Sequence, residues 1–393
     1  MKKSVKRVLS LVLAVLMFAS AFTFGSGAVD DGSGQNRIYK QTPVLDGNGA
    51  LTEPGYCFTN LYQYDRDAIT AGPGRIKEWD FYQISNDELT VQVTIADISL
   101  GGAVTVGFFD RKTGEKGSAM VLNLFTFGKF KLGLEGKRGL TENDWVDHTY
   151  KVSKRNFDFE LSVNSKVRTL KFTGKSGGKK LTMDIDMAML PDHESHFIAL
   201  PFKANKPKQF YYNQKTNCMV STGTVTYGDK VYEFKGREDD SFAVLDWGRG
   251  VWPFHQVWWW GNGGTVLEDG RIFGFEIGWG FGDTTAASES TAFLDGKAYK
   301  LGYLKLEKEK DIVKPLDSDW ADNGVVWKIT SDDGSFEMTM KPEYDNYTML
   351  RFLVVGNLCH QVFGKWSGTV KCGDEVIEIK DMTAFLERSD NMW

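Results

Sequence analysis

The side chains best suited to ligand chemistry are concentrated in residues 245–260, which hold five Trp together with one Asp, one Arg and one His. Indole faces suit a sugar ring or a flat apolar ligand, and the indole N–H can fix its orientation. On a strand, Trp258 and Trp260 share one face and Trp259 points to the other. With Trp252, these residues predict a Trp-lined ligand pocket; an aromatic core where two parts of the chain meet is the alternative interpretation.

An acid and a cation flank these Trp residues. Asp246 and Arg249 could pair with each other, or could present opposite charges to a ligand. A purely structural ion pair is the competing interpretation. The hypothesis adopted here gives Arg249 a ligand-binding role and Asp246 a catalytic one.

A second segment, residues 274–290, alternates Gly with aromatic side chains, as expected for a strand whose Gly face lies close to other backbone or to a ligand. Its spacing is not that of a nucleotide-binding glycine loop. Glu276, Asp283 and Glu289 could act as general acid and base if burial separates their pKa values, or could simply bond backbone donors at a bulge. We predict Glu276 and Asp283 as catalytic groups and Trp279 as a ligand contact.

Other chemistries have weaker support. His193 and His196 are three residues apart, which is not the H-E-x-x-H spacing, and no third ligand is evident in the sequence. Residues 174–178 match G-x-S-x-G, but they read as a turn between strands, so we find no nucleophile elbow. We therefore expect neither a metal site nor a cofactor.

The elements that must position these groups are strands. Apolar and polar residues alternate in four runs: residues 89–95, 157–163, 181–189 and 336–340. The turns between strands are rich in Gly, Asp, Asn and Lys, and no long run has helical spacing after the N-terminal segment. The pattern predicts an all-β protein with few short helices, built as two antiparallel barrels or sandwiches.

The first 28 residues have the features of an export signal. Lys2, Lys3, Lys6 and Arg7 precede an uncharged apolar run at 8–24, and small residues end at Ala28. The run is shorter than a spanning helix needs, so we expect cleavage near Ala28, no membrane span afterwards, and a secreted or cell-envelope location. The formal net charge of −5 and the lack of a basic stripe argue against nucleic acid as a partner.

After the signal (1–28), we predict an N-terminal β domain at 29–205 and a C-terminal β domain at 206–393, because residues 203–208 interrupt the strand pattern. Four cysteines remain, and sequence cannot fix their pairing. Cys359 and Cys372 are the nearest pair in the sequence and the best candidates for a bridge; four buried thiols are the alternative.

Several stretches resemble the bacterial and fungal proteins grouped as domain of unknown function 2804. They are residues 75–82, 201–203, 210–215, 245–253, 278–283, 363–368 and 387–388. The resemblance spans nearly all of the chain after the signal, and it implies no assigned activity and no catalytic residues. At the level of architecture the family is similar to two-barrel, lipocalin-like proteins that include the hydroxyneurosporene synthase type of carotenoid hydratase. Such relatives hold apolar ligands, and some catalyse additions or cyclisations; an export signal departs from typical members.

These observations predict an exported protein that binds an uncharged organic ligand, apolar or sugar-like, in the Trp-lined pocket. Whether the protein is an enzyme stays open. Acid/base chemistry on that ligand is one possibility. An extracellular carbohydrate-active hydrolase with paired carboxylates is an alternative. A non-catalytic cell-envelope protein, in which the same residues only stabilise the fold, is the third.

Overall fold

The computed structural model describes residues 28–30, 33–130, 147–307, 325–352 and 355–392. The predicted export signal at 1–28 lies outside these residues except for Ala28. Strands make up 66% of the described residues, about three times the usual share, and these residues also include short 3-10 helices at Arg66–Ala68, Pro73–Arg75 and Gly236–Glu238. The all-β prediction is confirmed. In the described part of the chain, no helix has the length and apolar character needed to cross a bilayer.

The strands up to residue 201 are β1 (Ala28–Asp30), β2 (Asn36–Ile38), β3 (Thr42–Pro43), β4 (Gly55–Cys57), β5 (Tyr62–Gln63), β6 (Ile76–Ser85), β7 (Leu89–Asp97), β8 (Gly101–Asp110), β9 (Lys116–Leu124), β10 (His148–Lys154), β11 (Phe157–Val163), β12 (Val167–Ser176), β13 (Lys179–Ala188) and β14 (His196–Pro201). The later strands are β15 (Phe210–Tyr227), β16 (Lys230–Lys235), β17 (Phe242–Val251), β18 (His255–Val266), β19 (Ile272–Trp279), β20 (Thr291–Leu294), β21 (Lys297–Lys300), β22 (Leu304–Glu307), β23 (Trp327–Ser331), β24 (Phe336–Phe352), β25 (Val355–Cys372) and β26 (Glu375–Met392).

The first large sheet is a nearly closed barrel. One path runs β1-β2-β4-β14-β15-β17-β6-β7-β8-β9, and β10 to β13 join it at β15, which also pairs with β16. Period-2 alternation sends Val91, Val93 and Ile95 of β7 into its interior, where a large apolar cluster fills the barrel. The residues between them face outwards. The interior is therefore packed, and the outer face is left to meet the second sheet.

The second sheet is a half-barrel ordered β21-β20-β19-β18-β26-β25-β24-β23-β22. One face carries its own apolar core, centred on residues such as Trp327, Trp366 and Phe275. The other face turns towards the first barrel, and a smaller cluster joins the two sheets, with Val244 of β17 against Trp260 and Phe385. Two core layers and one shared interface thus follow from the alternation of side chains.

Hydrogen bonding continues the first sheet beyond the predicted division at 205/206. Strands β15, β16 and β17 belong to the first sheet, and the chain changes sheet between Val251 and His255. The division into residues 29–205 and 206–393 as independent folding units stays a prediction, which limited proteolysis can check.

The prediction of a disulfide bridge between Cys359 and Cys372 is wrong. All four cysteines are free, and these two belong to the same continuous strand, β25. At about 3.3 Å per strand residue they lie about 40 Å apart, far beyond the reach of a disulfide.

Candidate functional site

A cavity of about 540 Å³ lies between the outer face of the first barrel and the facing side of the second sheet. The first sheet contributes Trp79, Phe81, Gln92, Thr94, Ala96, Thr105, Asn213, Lys215 and Asp246, and the loops add Ile98, Phe281 and Glu289. The second sheet contributes Trp258, Trp260, Asn346, Thr348, Asn357, Cys359, Gln361, Glu387, Ser389 and Asn391. The volume is in the range that holds a small organic molecule.

Strand register aligns the first wall in a row. Lys215 of β15 lies opposite Asp246 of β17, which lies opposite Phe81 of β6. The row continues through Thr94 and Thr105. Directly opposed residues share one face of a sheet, so all five point into the cavity. The wall therefore changes from charged to aromatic to weakly polar within one row.

The second wall is built the same way. Glu387 of β26 lies opposite Trp260 on one side and Gln361 on the other. The next row places Trp258 and Cys359 on either side of Ser389. Aromatic side chains thus come from β18, while the neighbouring strands supply amides, hydroxyls and one carboxyl group.

A single lysine bridges three carboxylates at one end of the cavity. The Nζ of Lys215 lies 3.3 Å from Asp246 Oδ1, 3.3 Å from Glu276 Oε1 and 3.5 Å from Glu289 Oε2. The same Nζ is 4.8 Å from the Trp260 ring centroid. Burial alone would lower the pKa of Lys215, but the three carboxylates raise it above its usual value. The lysine is therefore a fixed cation with more negative groups around it than it can neutralise.

Glu276 is the fully buried member of this cluster. Trp260 Nε1 donates a hydrogen bond of 2.5 Å to Glu276 Oε1, and Oε2 has no hydrogen-bond partner among the described residues. Burial raises the pKa of Glu276 to about 8, although Lys215 acts in the opposite direction. At neutral pH this carboxyl group is mostly protonated, which brings the charge of the cluster closer to balance.

Glu387 is the second carboxyl group held near neutrality. Burial raises its pKa to about 7, against the hydrogen bond from Trp258. Trp258 Nε1 donates to Oε1 at 3.1 Å, and Gln361 Nε2 donates to Oε2 at 3.3 Å. A carboxyl group with this pKa, lining a cavity, can give or take a proton at neutral pH.

Glu289 is positioned by a hydroxyl group and by a glycine. Tyr211 Oη donates to Glu289 Oε1 at 2.8 Å. A Cβ atom at Gly278 would lie only 2.6 Å from Glu289 Oε2. Gly278 therefore leaves the space that the carboxylate occupies, which is a specific form of the close approach expected for the Gly face of this strand.

The cavity brings together part of the predicted site. Asp246, Trp258 and Trp260 line it, and Glu276 contacts both Lys215 and Trp260 beneath the wall. Trp259 points to the opposite face and packs against the core of the second sheet, as strand alternation predicts. The functional roles assigned to these residues stay predictions.

Arg249 does not reach the cavity and does not pair with Asp246. The two residues are an odd number of positions apart on β17 and so face opposite sides. Arg249 is fully buried inside the first barrel, where its Nη2 donates to Asp80 Oδ1 at 2.7 Å. A neighbouring ion pair joins Arg66 and Glu78 at 3.2 Å.

Three other predicted residues lie away from the cavity wall. Trp252 packs against Trp79 with ring centroids 4.2 Å apart. Trp279 stacks on Trp259 on the far face of the second sheet. The carboxylate of Asp283 bonds Thr285 in the loop after β19. Asp283 therefore does not line the cavity beside Asp246, and Phe281 reaches the cavity from this loop instead. That Asp246 and Asp283 meet one ligand stays a prediction.

Sequence reasoning missed Lys215 and Glu387 as site residues and left Glu289 as an unselected candidate. A signal for Lys215 exists: five consecutive polar residues, 213–217, follow the apolar residues 210–212. Residues 213 and 215 also fall in a segment on which the family resemblance rests. Glu387 falls in another of these segments, but only strand register shows that it faces the cavity.

The histidines considered for metal binding serve the fold. His193 Nδ1 accepts from the backbone N–H of Leu190 at 3.0 Å, and His196 lies against the rings of Tyr56 and Phe58. Over the described ranges, His, Cys, Asp and Glu side chains form no group of three or more that could hold a metal ion.

The family model for the domain of unknown function DUF2804 matches residues 35–393. The chain belongs to this family. The resemblance read from the sequence is thereby confirmed, and the family description assigns no activity. No curated protein matches the chain.

Solved structures with similar chain paths share little sequence with this DUF2804 member. A putative AttH from Nitrosomonas europaea is 11% identical with a TM-score of 0.45, covering 88% of this chain and 98% of that one. CghA is 12% identical with a TM-score of 0.46, covering 90% and 96%. Kievitone hydratase from Nectria haematococca is 11% identical with a TM-score of 0.40, covering 81% and 88%.

Proposed function

We propose that the chain binds an uncharged, largely apolar organic molecule between its two sheets and moves a proton on that molecule. The observation that carries the proposal is the composition of the cavity of about 540 Å³. Trp79, Trp258 and Phe281 give it flat apolar surfaces, while ionisable groups lie at one end. Such a site binds a ring or an unsaturated chain by area and orients it by a few polar contacts.

Two carboxyl groups at that end have different environments. Asp246 is ion-paired with Lys215 and accepts a hydrogen bond from Asn213 at 2.7 Å. Glu387 has a pKa raised to about 7 by burial and holds no ion pair among the described residues. Two carboxyl groups in such different environments can serve as base and acid in the same site. Addition of water, isomerisation and cyclisation of an unsaturated ligand all need such a proton transfer.

The ligand can be identified without knowing its class. Native mass spectrometry of protein purified from its own host should show a co-purified mass that denaturation releases. The released ligand, returned to the protein in deuterium oxide, should gain carbon-bound deuterium if the site transfers protons. Glu387→Gln and Asp246→Asn should each slow this exchange by about 100-fold, within the usual range for general acid/base groups. Binding without deuterium gain in the wild type would leave a binding protein and contradict the catalytic part.

The location of binding has its own test. Thr94→Phe places a ring inside the cavity, whereas Thr149→Phe places the same ring on the exposed strand β10. With the uncharged dye Nile red as the probe, Thr94→Phe should weaken binding at least tenfold and Thr149→Phe should leave it unchanged. Equal affinities in all three proteins would place the dye outside the cavity and contradict the proposal.

A carbohydrate hydrolase is favoured by one observation, the amide-rich second wall with Asn346, Asn357 and Asn391. Amides and hydroxyls suit polyhydroxylated ligands. Hydrolysis in water enriched in ¹⁸O would split the ligand into two fragments, one of which carries the heavy oxygen. An intact ligand carrying deuterium supports the main proposal instead.

Export remains part of the proposal. Cleavage after Ala28 should leave a secreted chain that begins near Val29, which N-terminal sequencing of protein from the culture medium can check. Retention of Met1 in a membrane fraction would contradict it.

A further inference from the structure

An apolar edge follows β9 and the loop after it. Met120, Leu122 and Leu124 share one face of β9, and their exposed fractions reach 67% at Leu124. Phe125 and Phe127 in the loop are exposed as well. These five residues, the apolar edge, present a continuous large hydrophobic surface to water, which marks an interaction site more often than chance.

The apolar edge continues the wall of the cavity. Met120 lies opposite Thr105, and Thr105 lies opposite Thr94, both of which line the cavity. The same row ends at Asp246 and Lys215. Five inter-strand steps of about 4.8 Å make this surface about 24 Å long. One sheet face therefore runs from the buried ion cluster to the exposed edge.

The loop that carries the two Phe residues is held in place. Phe125 and Phe127 have φ values of 53° and 48°, in the left-handed region that bulky residues rarely adopt. Their rings stack with centroids 6.3 Å apart. The buried carboxylate of Asp97 accepts from Thr126 Oγ1 at 2.7 Å and from the Gly128 N–H at 2.9 Å. Strain retained in this way is typical of a segment with a function.

The second sheet reaches the same end of the cavity with an apolar residue. Leu350 lies opposite Asn357, which lines the cavity, and is 62% exposed. The ion pair of Lys365 with Asp87 marks the opposite end. The hydrogen bond from Gln92 to Gln361 joins the two sheets between Leu350 and this ion pair. The end of the second sheet that carries Leu350 therefore lies over the end of β7 that is furthest from Asp87. Apolar side chains thus border the cavity on both sides.

Cations flank the apolar edge. Residues 116–130 contain two Lys and no acidic residue, in a chain whose formal net charge is −5. Lys129 is exposed in the loop, and the exposed Arg75 adjoins Gly74, which faces the Phe127 ring. Exposed aromatic and aliphatic side chains with flanking cations fit an anionic lipid surface.

We propose that the apolar edge docks on the surface of a lipid bilayer with anionic headgroups. Phe125 and Phe127 would enter the boundary between headgroups and acyl chains, with Lys129 and Arg75 near the lipid phosphates. An apolar ligand could then pass from the lipid into the cavity without crossing water; this last step alone rests on the proposed function.

The test uses sucrose-loaded vesicles and the purified chain. The variant Phe125→Asn/Phe127→Asn removes both rings and installs residues that tolerate positive φ, so the loop should keep its conformation. The control Val231→Asn/Val376→Asn removes two side chains that are 58% and 57% exposed elsewhere. Vesicles of equal phosphatidylglycerol and phosphatidylcholine should sediment the wild type and the control, and the Phe variant should bind at least tenfold more weakly. Pure phosphatidylcholine should sediment less of every protein.

Three results would overturn the proposal: a wild type that sediments with neither vesicle, an equal loss in the control, or a wild-type dimer that the Phe variant abolishes. The last result would make a second copy of the chain the occupant of the apolar edge. Nile red binding measured without vesicles should be the same in wild type and Phe variant. A failure of docking is thereby distinguished from a failure of the cavity.

Discussion

Two buried charged clusters arise from opposite faces of β17. On the outer face, Asp246 joins Lys215, Glu276 and Glu289 at the cavity. On the inner face, Arg249 and Asp80 pair beside Arg66 and Glu78 within the packed barrel. The inner cluster has two cations for two carboxylates, whereas the outer cluster has one for three. Balanced charge in a filled core serves stability; unbalanced charge beside an open cavity needs a further partner, such as a proton or a ligand.

Removal of the outer cation should have the largest effect. Lys215→Met leaves three carboxylates together and should lower the free energy of unfolding by about 3–5 kcal/mol at pH 8. The loss should shrink at pH 5, because protonation relieves the repulsion. Urea unfolding at both pH values measures this. A loss that is the same at pH 5 and pH 8 would show that the carboxylates do not depend on Lys215.

Removal of the inner cation should destabilise the chain without a selective effect on binding. Arg249→Met removes the ion pair between Arg249 and Asp80 but keeps Arg66 beside Glu78, so we expect a loss of about 3 kcal/mol. Nile red affinity per folded molecule should not change. Asp246→Asn provides the contrast, since it should impair proton transfer on the bound ligand more than it lowers the melting temperature. The comparison fails if Arg249→Met weakens binding as strongly as Asp246→Asn slows exchange.

A methyl group at Gly278 should disturb the outer cluster alone. Gly278→Ala must displace the Glu289 carboxylate, which would otherwise lie 2.6 Å away. We expect a cost of about 1–3 kcal/mol together with slower proton transfer. Gly101→Ala is the matched control on β8, because its Cβ would lie 3.6 Å from the nearest atom, the Asn123 backbone oxygen. Indistinguishable thermal unfolding of the two variants would mean that Glu289 moves without cost.

The smallest effect, when counted per pH unit, is the dependence of stability on pH. Glu276 has a folded-state pKa of about 8 against an ordinary value of 4.5, so between these pH values the folded chain holds a proton that the unfolded chain releases. Stability should therefore fall as pH rises from about 4.5 to about 8, by at most about 1.4 kcal/mol per pH unit for one proton. Glu276→Gln should flatten the profile, leaving the part due to Glu387. Unfolding free energies measured across this range provide the comparison, and parallel wild-type and variant profiles would contradict it.

Much of the fold could be predicted from local pattern, because strand alternation is a property of neighbouring residues. The same rule separates Trp258 and Trp260 from Trp259. It also excludes Asp246 and Arg249 as partners, since three positions along a strand reverse the face, and the pairing hypothesis was therefore inconsistent with a strand that contains both residues. The glycines of the β19 strand were rightly expected to permit close approach.

The rest depends on register between distant strands. Lys215 meets Asp246, Glu276 and Glu289 only because β15 pairs with β17 and the second sheet packs across them. Asp283 leaves the site because Gly280 and Gly282, both with φ near 90°, turn the chain after β19. No local periodicity encodes such long-range neighbours, and so the carboxylates of one cluster could be proposed individually but not as a group.

The position of β26 has a consequence for biosynthesis. This last described strand lies in the middle of the second sheet, between β18 and β25, and it supplies Glu387. Strand β18 is translated long before β26. During synthesis, Trp258 and Trp260 therefore lack their neighbours on β26. A premature stop shortly before residue 375 would therefore remove both a central strand of the second sheet and a proposed proton donor. Such a product would expose an aggregation-prone aromatic surface. It should be a substrate for chaperones and proteases rather than a folded protein with reduced activity.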